Sequence, residues 1–218
     1  MIKTIVFDFD GTLGDTSILI VKTMKQTIET LGLPECPEAQ CRSVIGLPLR
    51  EMFMHLLPID EAMGRRCEMT YHELFDKNNI PGTVPLFPHV RETIVRLHAR
   101  DITLTVASSR NRPSLIGFIE EMRLGSYISR VVSVTDVPKA KPAPDMVLDI
   151  LGHFGGIPGE TLVVGDTSFD VDMGRNAGTK TCAVTYGNGT FESLSAADYI
   201  IDDFGELENI VEKERQSL

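Results

Sequence analysis

Three apolar runs constrain this chain more than any other feature. Residues 2–7, 102–107 and 161–164 are nearly continuous in apolar side chains and do not alternate with polar ones. A strand with one wet face alternates; a run without alternation reads as a strand buried on both faces. Further β-rich runs lie at 131–134, 181–184 and 199–201, and helical patterns separate the runs at 90–99, 114–122, 145–154 and 170–177. Strand and helix in alternation predict a parallel sheet covered on both sides, a Rossmann-like three-layer α/β sandwich.

One segment breaks the rhythm. From about residue 16 to 81 there is no strand pattern, and helical patterns fill 17–31, 37–45, 49–57 and 61–78 instead. Gly32, Pro34, Gly46, Pro48 and Pro58 punctuate the joins. This predicts a small all-α domain over 16–81, inserted after the first strand between linkers near 14–18 and 79–85. The α/β core then comprises 1–15 and 82–218. The tail beyond Val211 is charged and is expected to fray.

Composition narrows the function classes. With 218 residues, 42% of them hydrophobic, the chain can bury a large core. A net charge of −10 argues against nucleic-acid binding, which uses a basic face. It leaves open a small anionic substrate, because a bound cation reverses the local field. Cys36, Cys41, Cys67 and Cys182 form no CxxC pair, and the histidines show no ligand spacing. Reduced thiols in a cytosolic protein are expected. No apolar run approaches the roughly 20 residues of a membrane span. A soluble, cytoplasmic protein without membrane or nucleic-acid partners, monomeric or dimeric, is the expectation.

In an open parallel sheet, ligands bind beyond the carboxyl ends of the strands. Asp8 and Asp10 follow the first strand, and residues i and i+2 of an extended chain point the same way. Two carboxylates would then share one site, which is tolerable beside a cation or if one holds a proton. Gly11 allows a turn where a side chain would crowd a ligand. Ser108, Ser109, Arg110 and Asn111 follow the second strand, offering hydroxyls and N–H groups to an anion. Lys139 and Lys141 follow the third, with Lys141 held by Pro142 and Pro144; Asp166 and Asp170 follow the fourth. Taken singly, each cluster reads equally as a helix cap or a solvated loop. Together they place acidic groups suited to a hard cation such as Mg²⁺ beside a hydroxyl and a lysine suited to phosphate.

The set DFDGT at 8–12, Ser108 after a strand, KPAPD at 141–145 and GDTSFD at 165–170 resembles the haloacid dehalogenase superfamily of phosphohydrolases over about residues 2–190. The helical insertion is similar to that superfamily's small α-helical cap. The resemblance implies roles residue by residue. Asp8 is the expected nucleophile, forming an aspartyl-phosphate, and Asp10 the general acid and then base. Mg²⁺ is expected on Asp8, the backbone carbonyl of Asp10, and Asp166, with Asp170 supporting directly or through water. Ser108, Ser109 and Lys141 are expected at the transferring phosphoryl group, and Thr12 adds support.

Asp10 argues against carbon–halogen chemistry, because members that attack carbon lack the second aspartate and need no metal. The resemblance thus implies a Mg²⁺-dependent phosphatase acting on a small phosphate monoester, phosphoglycolate-like or a sugar phosphate. Three alternatives stay open: a β-phosphoglucomutase-type mutase, an inorganic pyrophosphatase, and a non-catalytic phosphate-binding protein. Arg50, opening a helix in the insertion, is the candidate for substrate selection. Arg110 and Arg112 are equally readable as site residues or as solvated arginines. Gly14 stands where a larger residue is common, and either loosens a hinge or carries no consequence.

Overall fold

Six parallel strands form one sheet in the computed structural model, which describes residues 1–216. They are β1 (Thr4–Phe7), β2 (Thr103–Ser108), β3 (Arg130–Ser133), β4 (Thr161–Gly165), β5 (Lys180–Val184) and β6 (Tyr199–Ile201). All six runs read from the sequence are strands. The order across the sheet is β3-β2-β1-β4-β5-β6. The chain winds outward from β1 to β3, then returns to the other side of β1 and winds outward again. This doubly wound order opens a crevice between β1 and β4 at the carboxyl edge.

The two faces of the sheet carry separate cores, which is why β1 and β4 contain no exposed residue. Ile5 and Phe7 point to one side, where Val90 and Ile94 of α5 (Val90–His98), Phe118 of α6 (Arg112–Glu121) and Leu207 of α10 (Leu207–Gln216) pack. Val6 points to the other, against Met146 and Ile150 of α7 (Asp145–Phe154) and Met173 of α8 (Ser168–Asn176). The continuous apolar character of these strands is the record of that double burial.

Four helices lie between β1 and the second strand's approach: α1 (Ser17–Thr30), α2 (Glu38–Ser43), α3 (Leu49–Leu56) and α4 (Glu61–Asn78). Ile20, Met24 and Ile28 bury one stripe of α1, and Cys67, Tyr71 and Phe75 one stripe of α4, both at the i, i+4, i+8 spacing of a helix face. The Asp60 side chain caps α4 by accepting the Met63 N–H at 2.8 Å. An aromatic chain joins these helices to the sheet edge. Phe75 meets Phe118 edge-on at 6.3 Å, and Phe118 lies 5.5 Å from Phe9, just beyond β1. Burying a ring such as Phe75 contributes about 1.5–3 kcal/mol.

The charged tail does not fray as expected. It forms α10 through Gln216, with residues 217–218 outside the described residues. Glu214 packs on the sheet, where Lys180 Nζ donates to it at 2.5 Å and the Tyr199 hydroxyl donates as well. A short helix, α9 (Phe191–Leu194), was also without a sequence signal. The Lys180 hydrogen bond, and that of Tyr199 after it, hold the Glu214 carboxyl below the usual glutamate range against the opposing pull of burial. A carboxyl depressed in the folded state stabilises above its ordinary value of 4.5, and the contribution is lost as pH falls through the lower folded value. Glu214→Gln is expected to cost about 1 kcal/mol at neutral pH. Denaturant melts of variant and wild type should converge as the pH drops below 4.5.

All four cysteines are buried and free. Among the described residues no helix is long and apolar enough to cross a membrane.

Candidate active site

The site is assembled where the strands end. The Asp8 N–H donates to the Val164 carbonyl at 2.8 Å, carrying the β1–β4 ladder one residue further and delivering Asp8 to the crevice. The chain then turns sharply. Gly11 has φ +93, and a Cβ there would sit 2.2 Å from Asp166 Oδ2. Only glycine satisfies both the left-handed backbone and the close approach. Gly14 has a packing reason as well, since a Cβ would press within 3.2 Å of the Phe9 ring.

Lys141 is the electrostatic hub. Its side chain is fully buried, and Nζ donates to Asp8 Oδ1 at 2.5 Å and to Asp170 Oδ1 at 2.6 Å. Burial pulls the Lys141 ammonium down, but Asp170 and Asp8 more than offset this and hold it above its ordinary value. Lys139, the other lysine of the loop, is exposed. Asp170 serves two partners: its Oδ2 accepts from the Thr167 N–H at 3.1 Å and hydroxyl at 2.7 Å, closing the capping box of α8, while Oδ1 faces Lys141. Asp170 thus caps α8 and faces Lys141 at the same time.

Asp166 is fully buried and held from three directions. Thr12 Oγ1 donates to Oδ1 at 3.1 Å; the Asn188 N–H and Nδ2 donate to Oδ2 at 2.7 and 3.0 Å. Burial, then the charge of Asp170, pushes the Asp166 carboxyl up to about 7 despite these bonds. Asp8 is also pushed well up, first by burial, which Lys141 opposes and Asp170, Asp166 and Asp10 reinforce.

One carboxylate oxygen from each of Asp8, Asp166 and Asp170 lies within 4.8 Å of the others. Three buried carboxylates thus share a single ammonium. That charge deficit and the all-oxygen donor set fit a hard divalent cation. The residues present therefore match the group that the sequence motifs imply.

Asp10 is held differently. Arg110 straddles it, with Nε donating to Oδ2 at 3.1 Å and an NH2 group to Oδ1 at 2.5 Å, while Thr16 Oγ1 donates to Oδ1 at 2.7 Å. The guanidinium lies over both Phe75 and Phe118, 5.0 and 4.9 Å from the ring centroids. Burial opposes the charge of Arg110, but Asp10 raises it further still. Arg110 therefore lines the cavity beside Asp10. Arg112 does not line it and pairs with Asp136 at 2.6 Å on the surface.

Ser108 is buried, and its Oγ accepts the Arg110 N–H at 3.2 Å, which leaves the hydroxyl proton to donate. Ser109 departs from expectation. Its hydroxyl donates to the Gly46 carbonyl at 2.6 Å, tying the loop after β2 to the helical segment instead of presenting the proton to a phosphate. Arg50 departs further. It donates to Glu68 at 2.7 Å and Glu61 at 2.8 Å and does not line the cavity above Asp8. Asn188 was missed altogether, since no motif marks the loop after β5.

The cavity above Asp8 and Asp10 measures about 640 Å³ and is walled on its far side by α1, α3 and α4 and the turn before α3.

Comparison with known proteins agrees with this geometry. A family model described as haloacid dehalogenase-like hydrolase matches residues 5–184. Probable phosphatase IndB of Dickeya dadantii is 33% identical over 208 residues, covering 93% of this chain and 90% of that protein. Pyrophosphatase PpaX of Oceanobacillus iheyensis is 32% identical over 214 residues, covering 96% and 97%. A haloacid dehalogenase-like family hydrolase from Streptococcus pneumoniae, at 24% identity, shares the fold with a TM-score of 0.84 over 97% of this chain and 98% of that one.

Proposed function

The chain belongs to the haloacid dehalogenase-like hydrolase family, and from that membership we propose a phosphatase that passes the phosphoryl group of a small phosphate monoester to Asp8 and then to water. The observation that carries the reading is the buried group of Asp8, Asp166 and Asp170 around Lys141.

Asp8 is the nucleophile. A carboxylate oxygen forms the new bond to phosphorus while the bond from phosphorus to the leaving oxygen breaks. Lys141 restrains Asp8 and, with Ser108, faces the phosphoryl oxygens. Asp10 delivers a proton to the leaving oxygen, then takes one from the water that attacks the aspartyl-phosphate. Arg110 and Thr16 occupy both Asp10 oxygens in this conformation, so the leaving group must displace one of these bonds to reach its proton donor. Asp8, the backbone carbonyl of Asp10, and Asp166 would hold Mg²⁺, with Asp170 in support. When bound, the ion supplies charge neutralisation to the transferring group.

In this reading residues 16–81 form a cap over a core of 1–15 and 82–218. The cap limits access of bulk water and meets the leaving group. A pyrophosphatase is the second reading, favoured by the relative named PpaX.

The test is release of inorganic phosphate from phenyl phosphate. Turnover with Mg²⁺ that stops on chelation is expected. No release from this or any other ester in either condition would overturn the proposal.

A further inference from the structure

We infer that the leaving group this site takes is an uncharged alcohol with an apolar face, and that pyrophosphate and phosphoglycolate are poor substrates; the inference rests on the phosphatase reading above. Three features of the cavity carry it.

The first is size. At about 640 Å³ the cavity falls in the range of sites that enclose ligands of drug size, roughly 300–1,000 Å³. A two-carbon acid or a second phosphate would leave most of it unfilled. The second is the wall contributed by the helical segment. Ile20, Ile45, Leu47, Leu49 and Met52 line it, so a leaving group that reaches this side exchanges water for hydrocarbon.

The third is charge. Among the described lining residues Arg110 is the one with a permanent positive charge. It is shared with Asp10 through Nε and one NH2 group, and with Ser114 Oγ through the other at 2.9 Å, so a second anion would compete with the Asp10 carboxylate for it. The acidic residues that line the cavity beyond Asp8 and Asp10 are Asp76 and Glu121. Arg50, which could have served a second anion, is committed to Glu61 and Glu68. An anionic leaving group would therefore find only the His72 imidazole and an Arg110 shared with Asp10, beside hydrocarbon and two further carboxylates, which is costly for a group withdrawn from water. An uncharged apolar one meets no such penalty.

The experiment compares kcat/KM in Mg²⁺ for n-hexyl phosphate, phosphoglycolate and pyrophosphate. The two monoesters have alkoxide leaving groups of similar reactivity, and pyrophosphate has the intrinsically better leaving group. Hexyl phosphate is expected to lead each of the others by about 10–200-fold, the range a hydrophobic pocket supplies. Equal or faster turnover of either anion overturns the inference and leaves the phosphatase reading standing. No release from any of the three while phenyl phosphate is turned over also overturns the inference; no release from phenyl phosphate or any other ester overturns the phosphatase reading itself. Leu49→Lys places a cation in the apolar wall without touching the catalytic residues. It should shift the ratio toward phosphoglycolate by about tenfold; an unchanged ratio would contradict the role given to that wall.

Discussion

Asp8→Asn leaves a folded protein whose phosphate release falls by about 10⁴-fold or more, the scale on which removal of a covalent nucleophile acts. The amide keeps the shape of the carboxylate and can still accept the Lys141 hydrogen bond now made at 2.5 Å. It cannot form a stable bond to phosphorus at neutral pH. Stability should not suffer. The amide removes one of three clustered negative charges, which relieves repulsion with Asp166 and Asp170 and offsets the weaker pairing with Lys141. The expected pair of results is thus lost turnover and an unchanged or raised thermal midpoint. Turnover within tenfold of wild type would remove Asp8 from the role of nucleophile.

Lys141→Ala acts on both stability and activity. Its Nζ is the common partner of Asp8 and Asp170, and the lysine side chain is fully buried. Removing it leaves Asp8, Asp166 and Asp170 in a buried cluster with no ammonium among them. Breaking a buried ion pair from one side costs about 3–5 kcal/mol, because the remaining charge stays withdrawn from water. Denaturant melts should show a loss of this size under chelation. The loss should narrow in Mg²⁺, since a cation that binds only the folded protein raises its stability by mass action. Activity should fall in either case, because the phosphoryl group loses a fixed positive charge. A melt indistinguishable from wild type would mean that the three carboxylates do not depend on Lys141.

Much of this was legible in the sequence, for local reasons. A strand buried on both faces must be apolar at every position, so β1 and β4 were visible as continuous runs. Helix faces in α1 and α4 were visible in their spacing. Asp8, Asp166 and Asp170 were visible because each follows a strand and ligands gather at that edge.

What escaped was the choice of partners between distant segments. Arg110 lies 100 positions from Asp10 and Asn188 lies 22 from Asp166, and no local pattern specifies such pairs. Arg50 had the right residue type for an anion site, but Glu61 and Glu68, 11 and 18 residues on, claim it once α3 packs on α4. Ser109 was lost to a backbone carbonyl of the helical segment in the same way. The α10 helix went unseen because its charged residues suggested solvent, whereas Lys180 and Tyr199 give Glu214 a buried place. Periodicity and motif order report burial and position along the chain; pairing is decided by tertiary packing.

The central claim is that phosphorus bonds to Asp8 during turnover. It is tested most directly by mixing enzyme, Mg²⁺ and n-hexyl phosphate, quenching in acid on the millisecond scale, and mapping the digested protein by mass spectrometry. A phosphoryl group on the peptide that carries Asp8, absent from the Asp8→Asn protein, is the predicted result. Phosphate release at full rate with no phosphoryl group on that peptide at any quench time would contradict it.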